Sequence, residues 1–232
     1  MALAFFAVII MAFGVGISTY ALLHAKEMRL YRYLTRIFLL HLIIGVLWGI
    51  YVSLLVIDVE IYRSAWLLSF LVSLLFALEV ILFTHGNIGE SLRRILPTSE
   101  KCICIPVVGA CLMLHVENIK LTPGIAIALA FAGFIFALII GLIHSTSQIY
   151  GLMKGGKLFC FWRKIMLLAI WYIIYGLTYS ISGILTMSHI IPYASGNVLV
   201  AGTYFVKSVL IYDIVRYYQR NLKPILERLG RS

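Results

Sequence analysis

The sequence predicts an all-α integral membrane protein, a seven-transmembrane-helix bundle with its N-terminus outside and its C-terminus inside. Three observations carry this expectation. Hydrophobic residues make up 62% of the 232 and charged residues 12%, with a mean hydropathy of +1.03; a soluble domain carries about 45–50% and about 25%. Seven stretches reach or approach the roughly 20 apolar residues that cross a bilayer: Leu3–Leu23, Ile37–Ile57, Ala65–Thr84, Cys102–Val116, Gly124–Ile143, Ile165–Met187 and Val198–Tyr212. The basic residues then fall almost entirely into alternate loops.

With seven spans, one side collects Lys26, Arg29, Arg32 and Arg36, then Arg93, Arg94 and Lys101, then Lys154, Lys157, Arg163 and Lys164, and last Arg216, Arg220, Lys223, Arg228 and Arg231. These are sixteen of the nineteen lysines and arginines. The other side holds only Arg63 and Lys120, and Lys207 lies within a span. Cytoplasmic loops carry the excess of Lys and Arg, so the sixteen define the inner face. Were Cys102–Val116 not to span, nine of them would move outside and leave seven inside. The reading is therefore a single membrane domain over residues 1–215, followed by a basic amphipathic cytoplasmic tail over residues 216–232. A multi-pass cell-membrane location follows.

The net charge of +10 invites a nucleic-acid partner, but its placement suits topology and an anionic inner leaflet, each basic residue near the surface contributing about 1 kcal/mol. Other membrane subunits or a second copy of the chain are further candidate partners. Few amides with much Ile, Leu and Tyr point to a thermophilic source.

In chain order, Leu3–Leu23 lacks a positive leading region and a small-residue cleavage site, and reads as a retained helix. Gly14-Val-Gly16 within it permits close packing. Ile37–Ile57 carries Gly45 and Gly49, a small-xxx-small pair that lets another backbone approach. Trp66 and Trp162 stand at opposite interfaces, as an aromatic belt requires. Glu79 lies about five residues from the inner end of Ala65–Thr84, roughly 7–8 Å deep at the rise of a helix. Ile165–Met187 places Tyr172, Tyr175 and Tyr179 on one face.

Lys207, inside Gly196–Asp213, organises the rest. A charge at membrane depth costs about 2.5–3.5 kcal/mol on insertion scales, and marks a functional site with a nearby partner. Glu79 is the acidic residue well inside another span, so the two are expected to pair. Thr203 and Tyr204, one turn before Lys207, are expected to supply oxygen acceptors, and the tyrosines of Ile165–Met187 to line a polar path. The pair reads either as mutual neutralisation or as a proton or ion relay.

Other motifs carry less. The four cysteines include no CxxC, Cys102-Ile-Cys104 and Cys160 face the reducing side, and no metal site is expected. Gly151 to Lys157 fits the Gly-x-x-x-x-Gly-Lys half of a phosphate loop, but Leu158 stands where Ser or Thr should bind magnesium and no strand precedes it. No nucleophile–base set appears, so enzymatic hydrolysis lacks support and no catalytic residue is named. Six histidines lie near span ends; His41 with His144 on the inner side, or His115 with His189 on the outer, is a candidate axial pair for a b-type haem.

Seven spans, an external N-terminus and a lysine in the last span also resemble the microbial rhodopsins, with Trp171, Ile191-Pro192, Lys207 and Arg216 at roughly their spacing. That resemblance implies retinal on Lys207 as a Schiff base. The chain departs from the family in having Ala65 before Trp66, where an acidic counterion is usual, and Thr203 where an aspartate precedes the lysine. The leading expectation is a non-enzymatic membrane component for transport, translocation or membrane-complex assembly, with an intramembrane Glu79/Lys207 pair and no favoured cofactor. A retinal protein and a haem electron-transfer subunit are the alternatives.

Overall fold

The computed structural model describes residues 2–25, 28, 32–95, 156–187 and 189–229, and those residues are nearly all helical. The expected spans Cys102–Val116 and Gly124–Ile143, with His115, His144, Cys102, Cys104 and most of the Gly151–Lys157 loop, lie outside them. Among the described residues the helices are α1 (Ala2–Ala25), α2 (Arg32–Ile57), α3 (Val59–Ser64), α4 (Trp66–Ile95), α5 (Lys157–Met187), α6 (Tyr193–Tyr217) and α7 (Lys223–Leu229). Four stretches are long and apolar enough to cross a membrane: Ala2–Ala25, Leu34–Ile57, Phe159–Gly183 and Tyr193–Arg228. A shorter apolar stretch, Leu67–Val80, runs within α4. The chain is thus a helical protein built for a bilayer.

The helices run past the apolar runs that announce them. α6 starts five residues before Val198 and ends five after Tyr212. Hydropathy marks only the portion at hydrocarbon depth, whereas backbone hydrogen bonding continues into the interface. Asp58 stops α2 and caps α3, its carboxylate accepting from the Glu60 amide at 2.6 Å. α3 then turns the chain back into α4. Pro192 caps α6 after a turn in which His189 takes φ 56°.

α1 and α6 hold the bundle together. The buried positions of α1 are Ala4, Ala7, Met11, Gly14, Ser18, Ala21 and Ala25, a strict alternation of three and four residues. α6 buries Asn197, Val200, Ala201, Tyr204, Lys207, Ser208, Ile211, Ile214 and Val215 on the same rhythm. That repeat keeps one seam facing its neighbour along the full length, and the small side chains of α1 allow close approach where lipid offers no hydrophobic drive. α6 packs against α1, α5 and α2, while α2 also packs against α1 and α4.

Pro224 does not end the helical run of the tail. Its ring denies the carbonyl four residues earlier a hydrogen bond. The backbone widens into a π turn over Tyr218–Leu222, where the Lys223 amide reaches the Tyr218 carbonyl, and α7 continues.

The two ends of the bundle are pinned differently. At the end carrying α3, Asn197 Nδ2 donates to Tyr62 Oη at 3.0 Å. Burial holds the Tyr62 phenol above the ordinary tyrosine value, so it stays a neutral hydroxyl. At the end carrying the tail, Lys164 pairs with Asp213 and Tyr217 Oη donates to the Lys157 carbonyl at 3.0 Å.

Candidate functional site

Four helices bring polar side chains to one buried point. α6 contributes Lys207, Ser208 and Tyr204, α4 Glu79, α2 His41 and α5 Tyr172. Lys207, Glu79, His41, Ser208 and Tyr204 are 0% exposed. Lys207 Nζ lies 2.7 Å from Glu79 Oε2. Tyr172 Oη donates to Glu79 Oε1 at 2.6 Å. The ammonium also sits over the rings of Tyr172 at 4.1 Å, Tyr175 at 5.0 Å and Phe76 at 5.1 Å. Ring faces attract a cation more strongly where water is excluded. Lys207 is therefore held by one carboxylate and three aromatic faces.

His41 extends the cluster. Its Nδ1 lies 3.5 Å from Glu79 Oε1 and makes no hydrogen bond, and its Nε2 is 3.0 Å from Ser208 Oγ. Ser208 has one hydroxyl hydrogen and gives it to the Tyr204 carbonyl at 3.0 Å. With the hydrogen so placed, the Ser208 oxygen accepts from His41 and Nε2 carries the ring hydrogen. In neutral His41, Nδ1 is a bare lone pair facing a carboxylate oxygen. A proton placed between them would be shared by two acceptors.

Tyr204 fixes this imidazole. Its ring stacks on His41 with centroids 4.4 Å apart and planes at 21°, and its hydroxyl donates to the His41 carbonyl at 3.1 Å. Room for that ring comes from glycine. A Cβ on Gly45 would lie 1.9 Å from Tyr204 Oη, and one on Gly14 would lie 2.9 Å from its ring. The Gly45/Gly49 pair thus does not admit a neighbouring backbone. Gly45 admits a tyrosine, and the nearest neighbour to a Cβ on Gly49 is Met11 Cβ at 4.0 Å.

The structure brings together Lys207, Glu79, Tyr172 and Tyr175, and adds His41 and Ser208. Thr203 does not turn to Lys207; its hydroxyl donates back to the carbonyls of Leu199 and Val200. Its own carbonyl accepts from Trp171 Nε1 at 2.8 Å. Tyr204 gives its hydroxyl to α2, not to the ammonium. Tyr179 lies two turns of α5 from Tyr172 and bonds Ser69 and Ser73. His189 is exposed in the turn between α5 and α6, and His41 is buried within α2. The partners proposed for these histidines, His115 and His144, fall outside the described residues. Among the described residues no group of three or more His, Cys, Asp and Glu could hold a metal ion.

His41 entered the sequence reading as a haem ligand, not as a neighbour of Glu79. The signal that could have placed it was depth. His41 lies nine residues inside the start of α2, and Lys207 ten residues before the end of α6, so antiparallel helices set both at one level. No family model, curated protein or solved structure matches the chain.

Proposed function

We propose that this chain is a polytopic membrane component for transport or translocation, and that it works by moving protons through the Lys207–Glu79–His41 site. One observation carries the reading. A bare His41 Nδ1 and a Glu79 oxygen stand 3.5 Å apart, fully buried, beside a fixed ammonium. An ion pair serving stability alone needs no second proton acceptor at that place, and intramembrane ionisable residues mark proton relays and ion pathways. The aromatic faces around Lys207 keep its charge in position while the neighbouring proton comes and goes.

Reconstitution into liposomes with an internal pH dye tests this. Under an imposed gradient, the wild-type chain is expected to pass protons and Glu79→Gln to slow the flux about a hundredfold, within the range for loss of a positioned acid–base group. Equal flux in the two would overturn the reading.

One observation favours retinal as a second reading. Glu79 at Lys207 Nζ supplies the acidic partner that Ala65 and Thr203 do not, and three aromatic rings frame the same nitrogen. Purified protein mixed with retinal would then develop a hydroxylamine-sensitive visible band that Lys207→Met lacks. A Soret band would instead indicate haem.

The seven-span topology, with the tail inside, remains part of the proposal and is supported by the basic-residue asymmetry. Cysteine at position 156 is expected to label from the cytoplasmic side and cysteine at position 193 from the outside. Labelling of both from one side would remove the seven-span arrangement.

A further inference from the structure

The seam between α1 and α6 also has an outer side. Gly14, Ser18, Tyr204 and Ser208 are buried within it, while Ala12, Gly16 and Val209 are exposed on the reverse. There the two helices form an open groove of about 830 Å³, within the range of about 300–1,000 Å³ for small-molecule sites. It reaches along α1 from Ile9 to Tyr20 and takes in Val209 and Tyr212 of α6. Short side chains make the room. Ala12 and Gly16 stand one turn apart, and a Cβ on Gly16 would meet nothing within 4 Å. Apart from the hydroxyls of Tyr20 and Tyr212, the side chains along the groove are all hydrocarbon.

Length and charge select the occupant. Tyr20 lies eleven residues after Ile9, roughly 16–17 Å at the rise of a helix. The hydrocarbon core is about 30 Å thick, so the groove spans about one leaflet. A helix lying against α1 runs through both leaflets; an acyl chain runs through one. Toward the tail, Tyr20 and Tyr212 close the groove with ring centroids 5.7 Å apart. His24 backs Tyr20, its ring at 4.2 Å and its Nδ1 donating to the Tyr20 carbonyl at 2.8 Å. Val209, Tyr212 and Arg216 follow at i, i+3 and i+7, so exposed Arg216 stands one turn beyond Tyr212 on the same face of α6. Asp213, the acidic residue of this stretch, pairs with Lys164 of α5. An apolar slot one leaflet deep therefore ends at a guanidinium.

We infer that this groove binds an anionic phospholipid of the leaflet at the tail end, with one acyl chain between α1 and α6 and the phosphate on Arg216. A guanidinium offers paired N–H donors that match two phosphate oxygens, and Tyr20 and Tyr212 stand where charge gives way to hydrocarbon, the level at which tyrosine is enriched in membrane proteins. Lipid tails are as apolar as the groove, so burying the chain gains little by itself. The headgroup contact sets the preference, and the groove sets the place. A lipid held there covers the seam behind Gly14 and Tyr204 and ties α1 to α6 from outside. The site is independent of proton transfer at Glu79.

Photo-crosslinking of the full chain in vesicles tests this. The vesicles are phosphatidylcholine with a trace of either phosphatidylglycerol or phosphatidylcholine carrying a diazirine in its acyl chain, and peptide mass spectrometry locates the attached lipid. The phosphatidylglycerol probe is expected to mark residues 9–20 of α1 and 209–212 of α6 about fivefold more than the phosphatidylcholine probe, the weight of one basic residue at an anionic surface. Arg216→Gln is expected to abolish that preference. Gly16→Leu puts a side chain into the groove at an exposed position and favours the helix. It is expected to remove attachment of both probes while circular dichroism stays that of the wild type. Equal marking by the two probes in the wild-type chain, a preference that survives Arg216→Gln, or marking spread evenly over the exposed faces of α2 and α5 would overturn the site. Marking absent from both α1 and α6 would also overturn it, and would mean that a second copy or another segment of the chain covers the groove.

Discussion

Lys207→Met is expected to destabilise the protein by about 3–5 kcal/mol, because it leaves the Glu79 carboxylate buried with no cation. The magnitude follows from what remains, not from what is removed. An intact buried ion pair adds little net stability, since desolvation of both charges offsets most of their attraction. One orphaned charge has no such offset. Glu79 would keep the Tyr172 hydroxyl at 2.6 Å, and one neutral donor does not replace an ammonium at 2.7 Å. Unfolding in mixed micelles, followed by tryptophan fluorescence, reads the loss. The double variant Lys207→Met with Glu79→Gln is expected to regain most of the stability, because neither charge is then left alone. It is not expected to regain proton flux. A single variant as stable as the wild type would show that the pair does not neutralise itself. Lys207→Arg is also expected to destabilise, since the ammonium is fully buried against Glu79 Oε2 and three rings, and the bulkier planar guanidinium wants two acceptors in one plane.

Gly45→Ala is the second substitution with a large expected effect, and its control lies one turn away. The added methyl would stand 1.9 Å from Tyr204 Oη and 2.3 Å from Cζ. The atom struck is the end of a side chain, yet this one has nowhere to go. Tyr204 is fully buried, stacked on His41 and backed by Gly14. Overpacking of this kind costs about 1–3 kcal/mol, and losing the hydroxyl's bond to the His41 carbonyl adds about 1 kcal/mol. Gly49→Ala meets only Met11 Cβ at 4.0 Å, and Gly16→Ala meets nothing within 4 Å. Both are expected to be neutral or slightly stabilising, from the better helix propensity of alanine. Thermal unfolding of the three variants side by side checks the contrast. Equal losses at Gly45 and Gly49 would mean that both glycines serve helix approach and that Tyr204 is not the reason for either.

What the sequence by itself determined is the membrane class and where the charge must be answered. Mean hydropathy and run length need no partner to be read, because the bilayer imposes one requirement on every span: apolar side chains around a self-satisfied backbone. A lysine inside such a run is conspicuous for the same reason, and the scarcity of acids at depth left Glu79 as its natural partner. The helix ends, the π turn before Pro224 and the caps at Asp58 and Pro192 were less visible, since interfacial residues are neither apolar nor distinctive. Tertiary structure alone decided the rest of the site. Thr203 and Tyr204 look alike from Lys207, each an oxygen one turn away. Packing sent the first back to its own helix and the second across to His41, because Gly14 and Gly45 opened room on one side only. His41 looked like a ligand for iron and became a neighbour of Glu79 because α2 and α6 run antiparallel at one depth. Side-chain identity is written in the sequence, but which atoms share a buried space depends on how helices rotate against each other, and a span apolar on every face leaves that rotation unspecified.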